Sequence, residues 1–406
     1  MKNTKGKKGV CYLLTALTKE GKLFTLYGEV RKQILQMRKQ QFYCPICTEP
    51  LILKAGHVRI PHFSHRHHSE CINTASEPES PRHLKGKLDL FEWCRSNRLS
   101  AHLEHYLPDI KQRPDLLIEK AGRRFAVEFQ CTPISVQSVE RRSLQYLLSD
   151  ITPIWIVGGQ PFHKRRTNDM FELTEYLWSL TKRNNGYAML AGYEPESGKA
   201  SLLTNIVPYT SRKIFAKHFQ LPISHLKLPL PLFAEHPYFP FKSWLNEKMS
   251  WIQQKVRYGD LVQDRFLSTV YLEKSNPFLI SPLIGLPVKY MEGFVSHPTE
   301  WQFFIWTDCL KKLSFNKRIS LHYVYYKLRK RISKGDIVCR VLPLHEKALW
   351  EKAVRNYFRA LEELFYFQKV GKDLYRMIRV FPWPSHVEDA KNGEKDILKA
   401  LIKNYR

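Results

Sequence analysis

Two stretches of this chain carry residues whose types and spacing could do chemistry. The first is QFYCPICTEPLILKAGHVRIPHFSH, residues 41–65. Cys44 and Cys47 are separated by two residues, as are His62 and His65, and fourteen residues lie between the pairs. A Cys-x2-Cys turn presents two thiolates together, and a second pair closes a tetrahedron around Zn2+. Four protein ligands leave no open position, so such a zinc would be structural, supplying about 10–16 kcal/mol toward folding a small segment. Cys71 could replace either histidine. The competing reading makes His57, His62, His65, His67 and His68 a basic surface loop beside buried cysteines. The second stretch is RPDLLIEKAGRRFAVEFQCTP, residues 113–133. Ala121-Gly122 is a two-residue turn between strands 114–119 and 124–130. That turn sets Asp115 opposite Glu128, with Cβ atoms roughly 4.5–5.5 Å apart on one face. Two carboxylates so placed can share one divalent cation, Mg2+ or Mn2+, and without one their like charges repel. The two-residue period puts Gln130 beside Glu128 and turns Leu116, Ile118, Phe125, Val127 and Phe129 to the other face.

Elements that could position these residues are legible on either side. Ser80-Pro81 opens a helix, serine as N-cap and proline at the first helical position. Leu84, Leu88 and Phe91 follow on one face, His83 and Lys87 on another, with Glu79 at the helix entry. Residues 101–106 alternate as a strand. After the hairpin, residues 135–149 have helical spacing through Val136, Val139, Leu144 and Leu147-Leu148, and ITPIWIVG at 151–158 reads as a buried strand. The order helix, strand, hairpin, helix, strand predicts an α/β core on a mixed sheet. Upstream, residues 12–17 and 22–27 flank Thr18-Lys19-Glu20-Gly21 as a β-hairpin. Composition divides the chain into residues 1–75, basic and rich in His and Cys; 76–160, alternating helix and strand; and 161–406, basic, aromatic and mostly helical.

The whole chain carries 65 Lys+Arg against 38 Asp+Glu, a formal charge of +27. That excess calls for an anionic partner, most simply nucleic acid. The charge is uneven: residues 1–50 hold 10 basic and 3 acidic groups and residues 301–350 hold 11 and 3, whereas residues 101–150 hold 7 of each. The balanced segment is the one that contains the paired carboxylates. The apolar run FLISPLIGLPV, 278–288, is too short to span a bilayer and contains proline, so no membrane association is expected. Eight cysteines with one close pair make no disulfide framework, which predicts a reducing cytoplasm. In HYVYYKLRKRISK, 322–334, tyrosines alternate with lysine and arginine. That text suits either a single-strand-binding surface or an amphipathic helix with its tyrosines turned inward. Residues 347–380 have the outline of a helix followed by a glycine-containing hairpin.

Pro114-Asp115 followed by Glu128-x-Gln130 after a hairpin resembles the PD-(D/E)xK nuclease superfamily, with Gln130 where that motif usually has lysine. Together with CPIC and HFSH upstream, Glu79-Ser80-Pro81-x-His83-x-x-x-Lys87, and Val139-Glu140 through Tyr146 downstream, the chain is similar to the competence protein CoiA family over about residues 10–160. The resemblance implies a restriction-endonuclease-like mixed-sheet core over 76–160, preceded by a small zinc-finger-like β domain over 1–75 and followed by a mostly α basic region over 161–406. It implies a role in natural transformation, where incoming single-stranded DNA is recombined, with DNA and recombination proteins as partners. Carried over by position, Asp115 and Glu128 would ligate the metal, Glu79 would complete its shell, and Gln130 would fill the lysine's place. Gln130 brings no charge but can orient a water. His83, Lys87, Arg123, Arg124, Arg141 and Arg142 are the expected DNA contacts. The competing function is a DNA-binding recombination accessory that does not cut; a transcription factor is a third.

Overall fold

The computed structural model describes residues 12–29, 31–56, 59–66, 71, 80–160, 162, 170–184, 186–226 and 240–404. The chain divides into two compact units, the first made of residues 1–161, 190–202 and 219–231, the second of 162–189, 203–218 and 232–406.

The first unit begins with β1 (Tyr12–Leu13), β2 (Thr15–Leu17), β3 (Leu23–Thr25), the short helix α1 (Arg31–Met37), β4 (Phe42–Tyr43), β5 (Pro50–Lys54) and β6 (His62–His65). They form a six-stranded sheet in the order β1-β6-β5-β4-β2-β3. The expected hairpin forms between β2 and β3, Leu17 against Leu23, closed by the Gly21 N–H on Thr18 O at 3.0 Å, while Tyr12 and Leu13 pair instead with β6. Phe42, Phe63, Leu13 and Ile34 pack its small core.

The α/β core follows: α2 (Pro81–Ser96), β7 (Ser100–Leu103), β8 (Leu116–Lys120), β9 (Arg123–Gln130), α3 (Val136–Leu148) and β10 (Ile151–Gly158). Strands β7, β8 and β9 are antiparallel, and β10 lies parallel to β9, with Ile151 beside Arg124 and Val157 beside Gln130. The sheet is therefore mixed, and α3 is the crossover that a parallel β9–β10 pair requires. Hairpin register follows the Ala121-Gly122 turn, Leu116 facing Val127 and Lys120 facing Arg123. Both turn residues have positive φ, 49° and 72°, the signature of a type I′ turn. Helix α2 starts as expected, with the Ser80 Oγ accepting the His83 N–H at 3.2 Å.

Neither helix buries quite the stripe that its apolar residues suggest. Helix α2 buries Leu84, Gly86, Lys87, Leu90, Trp93 and Cys94. Lys87 can join the core because an acidic partner waits there. Helix α3 buries Val139, Ser143 and Tyr146 and leaves Leu144, Leu147 and Leu148 exposed. Its inner face is polar because it serves a buried carboxylate. Gly86 is the contact that seats α2 on the sheet: a Cβ there would lie 2.0 Å from Phe129 Cε1. Gly86→Ala should therefore lower stability by about 1–3 kcal/mol despite alanine's better helix propensity. An unchanged or raised urea midpoint would contradict this packing.

Beyond residue 160 come β11 (Met170–Glu172), α4 (Glu175–Ser179), β12 (Lys182–Asn184), β13 (Tyr187–Glu194), β14 (Lys199–Pro208) and β15 (Lys213–Pro222). Within the first unit, residues 191–193 of β13 extend the sheet by lying parallel to residues 156–158 of β10. These strands precede the helical region expected at the C-terminal end. That region holds α5 (Phe241–Tyr258), α6 (Arg265–Leu272), α7 (Pro298–Ile305), β16 (Arg318–Ser320), α8 (Leu321–Ser333), α9 (Leu349–Glu363), β17 (Phe367–Gly371), β18 (Leu374–Met377) and α10 (Val387–Asn404). Strands β16, β18 and β17 form a small antiparallel sheet, and a large aromatic core including Trp244, Trp301, Tyr357 and Phe358 fills the second unit. Among the described residues no helix is long and apolar enough to cross a membrane.

Candidate active site

Asp115 precedes β8 directly, and Glu128 lies on β9, so the observed register sets them across from each other. The Asp115 Oδ2 accepts the Phe129 N–H at 2.8 Å and lies 3.3 Å from His83 Nε2; its Oδ1 lies 3.8 Å from Lys87 Nζ. Glu128 is 2% exposed, and its Oε1 accepts from the Tyr146 hydroxyl at 2.5 Å and from Arg142 Nη2. Arg142 also donates through Nε to Gln112 Oε1 at 3.2 Å and lies over the Trp155 ring. Helix α2 thus brings His83 and Lys87 to the aspartate, while α3 brings Arg142 and Tyr146 to the glutamate.

The two environments drive the carboxyls apart. Burial alone would raise Asp115, but the charge and hydrogen bond of His83, the Lys87 ammonium and the Phe129 N–H outweigh it and hold Asp115 well below the usual carboxylate range. Burial pushes Glu128 up to about 7, with Arg142 opposing the rise and Asp115 adding to it. One carboxyl is firmly ionised and its neighbour is poised near neutrality. For Glu128 the folded state binds the proton more tightly than the unfolded chain does. Its contribution to stability is complete below the ordinary glutamate pKa and is lost as pH rises through about 7. In the absence of divalent cations, the stability of wild type relative to Glu128→Gln should fall between pH 5 and 7.5, by at most about 1.4 kcal/mol per pH unit. A pH-independent gap in urea midpoints would show that Glu128 keeps its ordinary pKa.

Lys87 is wholly buried and donates to Glu104 Oε1. Glu104 Oε2 in turn accepts the Leu14 N–H at 2.8 Å and the Thr15 N–H at 3.2 Å, so this acid ties the N-terminal sheet to the wall of the site. The expectation that Lys87 grips DNA phosphate is therefore corrected, because its ammonium faces two carboxylates inside the protein. Arg142 likewise turns inward to Glu128. Arg123, Arg124 and Arg141 are exposed, with Arg124 donating to Ser149 O at 2.8 Å. Gln130 stands at the end of β9, its Nε2 donating to Thr132 O at 2.9 Å. Glu79 lies outside the described residues. Glu104 is not singled out by the sequence, since nothing near Lys87 names its acidic partner, whereas Tyr146 stands in the motif downstream of the hairpin, four residues after Arg142 on the same helix.

The cysteine and histidine cluster is assembled, with one change of ligand. Cys44, Cys47, His65 and Cys71 bring their sulfur and nitrogen atoms within 4.8 Å of one another. Cys44 Sγ lies 4.0 Å from Cys71 Sγ, and Cys47 Sγ lies 3.3 Å from His65 Nε2. The expected His62 is not in the group. Residues 62 and 65 belong to one strand, and positions three apart on a strand face opposite sides. His62 instead bonds Ile60 O through Nδ1 at 2.8 Å and packs on Tyr12. Burial pushes the Cys44 thiol up to about 12. Three sulfurs and an imidazole closing on one point suit a tetrahedral metal ion.

The family model described as competence protein CoiA, nuclease-like domain, matches residues 79–236, flanked by its N-terminal domain at 26–73 and its C-terminal domain at 239–390. The chain belongs to the CoiA family. A curated member, competence protein CoiA of Bacillus subtilis (strain 168), is 26% identical over 355 residues, which is 87% of this chain and 93% of that protein. No solved structure matches the chain. The CoiA nuclease-like match contains both carboxylates and all four side chains clamped on them, and the CoiA N-terminal match contains the four members of the metal cluster.

Proposed function

We propose that this CoiA family member is a divalent-metal-dependent DNA nuclease that processes or helps recombine incoming single-stranded DNA in the cytoplasm during natural transformation. The observation that carries the reading is the Asp115–Glu128 pair, Glu128 buried on β9 and Asp115 half-buried across from it at the start of β8. A surface that only binds phosphate has no use for opposed carboxylates. Their oxygens suit a hard cation, Mg2+ or Mn2+. Such a cation, when bound, polarises a phosphate oxygen and lowers the pKa of a water. The chain's own residues set up that step. His83, Lys87 and the Phe129 N–H keep Asp115 ionised and fixed in direction. Arg142 and Tyr146 orient Glu128 through its Oε1. Gln130 can orient a water through its amide. The positive charge that a lysine at position 130 would supply has its nearest counterparts in Lys87 and Arg142, which reach the carboxylates from the two helices. Zinc fits Cys44, Cys47, His65 and Cys71 as a structural ion.

Calorimetric titration with Mn2+ tests the cation. One ion is expected to bind wild type in a manner abolished by Asp115→Ala. Equal binding by both proteins would overturn the assignment. A second reading, a non-cleaving DNA-binding recombination accessory, is favoured by two observations: Arg142 is already paired with Glu128, and position 130 carries no charge.

A further inference from the structure

The text HYVYYKLRKRISK left two readings open, and the exposure of its tyrosines separates them. Of the three α8 tyrosines Tyr325 joins the core, at 6% exposed, whereas Tyr323 and Tyr326 are 45% and 51% exposed. Tyr323, Tyr326, Lys327 and Lys330 occupy one stripe at i, i+3, i+4 and i+7. Lys327 Nζ lies 5.4 Å from the centroid of the Tyr323 ring, and Lys330 Nζ lies 4.4 Å from that of Tyr326. Two exposed rings, each with its own ammonium group, repeat along the helix. Two acids near α8 pair with arginines of this helix outside the stripe: Glu351 with Arg329 at 2.5 Å, and Asp308 with Arg331 at 2.7 Å.

An independent observation comes from the strands next to this helix. Arg318, three residues before α8 on β16, stands directly opposite Arg376 on β18, and Gln368 on β17 continues the row. Opposed like charges on a sheet destabilise it unless an anion lies between them. Arg376 Nε is buried without a hydrogen-bond partner. A polyanion passing over this row would offset the charge of both arginines.

We propose that the exposed face of α8, with the Arg318–Arg376 row beside it, binds a single strand of nucleic acid by stacking bases on Tyr323 and Tyr326 while Lys327, Lys330, Arg318 and Arg376 hold its phosphates. Unpaired bases offer the π-faces that exposed tyrosines stack on, and a duplex hides them. The nuclease reading is not needed for this surface to work, since no bond is cut there.

The test is fluorescence anisotropy with the full chain in EDTA, using a labelled deoxythymidine strand of about 30 nucleotides, the matching uridine strand and a mixed-sequence DNA duplex. Tyr323→Ala/Tyr326→Ala should weaken binding of a single strand at least about tenfold, while Tyr323→Phe/Tyr326→Phe, which keeps the rings, stays within about twofold of wild type. Lys327→Ala/Lys330→Ala should reduce the slope of log affinity against log salt. The DNA and RNA arms identify the strand taken. Single-strand binding unchanged in the Tyr→Ala double variant, or lost equally in the Phe variant, would overturn the proposal. Because EDTA prevents metal-dependent cutting, this result is independent of whether Asp115 and Glu128 form a nuclease site. Both tyrosines are half exposed, so a thermal melt matching wild type is expected for every variant and shows that loss of binding is not loss of fold.

Discussion

Cys71→Ser should unfold the N-terminal sheet, whereas His62→Ala should leave its metal content unchanged. Cys71 supplies one of the four atoms that meet within 4.8 Å, and His62 supplies none. A closed tetrahedral zinc contributes about 10–16 kcal/mol to a small domain, far more than a six-stranded sheet of very short strands can replace from its own core. Two of those strands, β1 and β4, are only two residues long. Loss of this sheet would also release Leu14 and Thr15 from Glu104, and so loosen the acid that holds Lys87 beside Asp115. Atomic absorption should find one zinc per chain in wild type and in His62→Ala, and much less in Cys71→Ser. Far-ultraviolet circular dichroism and limited proteolysis should show the sheet lost in Cys71→Ser. A stoichiometric, protease-resistant Cys71→Ser protein, or zinc lost from His62→Ala, would return His62 to the ligand set.

Asp115→Ala and Glu128→Ala should each reduce metal-dependent cleavage by on the order of a thousandfold or more, while DNA binding stays near wild type. Each variant removes one of the two carboxylates that can hold the cation, and metal catalysis acts as a unit, so either loss should cost nearly as much as both. The two should differ in stability. Glu128→Ala leaves Arg142 buried against Trp155 without its carboxylate, a change expected to cost about 3–5 kcal/mol. Asp115→Ala leaves Lys87 still paired with Glu104 and should be milder. Glu128→Gln keeps an acceptor for Arg142 and Tyr146, and is the variant that separates loss of charge from loss of fold. Anisotropy with labelled DNA and urea midpoints check both halves of the prediction. Equal cleavage by wild type and both Ala variants would sink the assignment of the site.

Much of this arrangement was legible before the structure, because it rests on local rules. The Ala121-Gly122 turn alone gives the β8–β9 register, and the period of two puts Asp115 and Glu128 together. Ser80-Pro81 marks the start of α2 at the observed residue. What escaped depends on contacts distant in sequence. Nothing near Lys87 says that Glu104 and Asp115 will neutralise it, so it read as a surface cation. Arg142 and Tyr146 lie on a helix whose leucines suggested another inner face; the buried glutamate, more than the apolar count, decided how α3 is turned. The ligand change from His62 to Cys71 follows from strand geometry that only the assignment of β6 reveals. The strands between residues 170 and 222 do carry a plain turn signal, Asn185-Gly186 between β12 and β13, but the basic and aromatic composition around it reads as part of the helical region.

The central claim is that Asp115 and Glu128 form a metal-dependent phosphodiesterase site. The most direct measurement is the single-turnover cleavage of end-labelled single-stranded and duplex DNA by the pure full chain with Mg2+, Mn2+ or EDTA, wild type beside Glu128→Gln. The account predicts products with Mg2+ or Mn2+ from wild type and none with EDTA or from Glu128→Gln. Intact DNA in every lane, or cleavage that persists in EDTA or in Glu128→Gln, would contradict it.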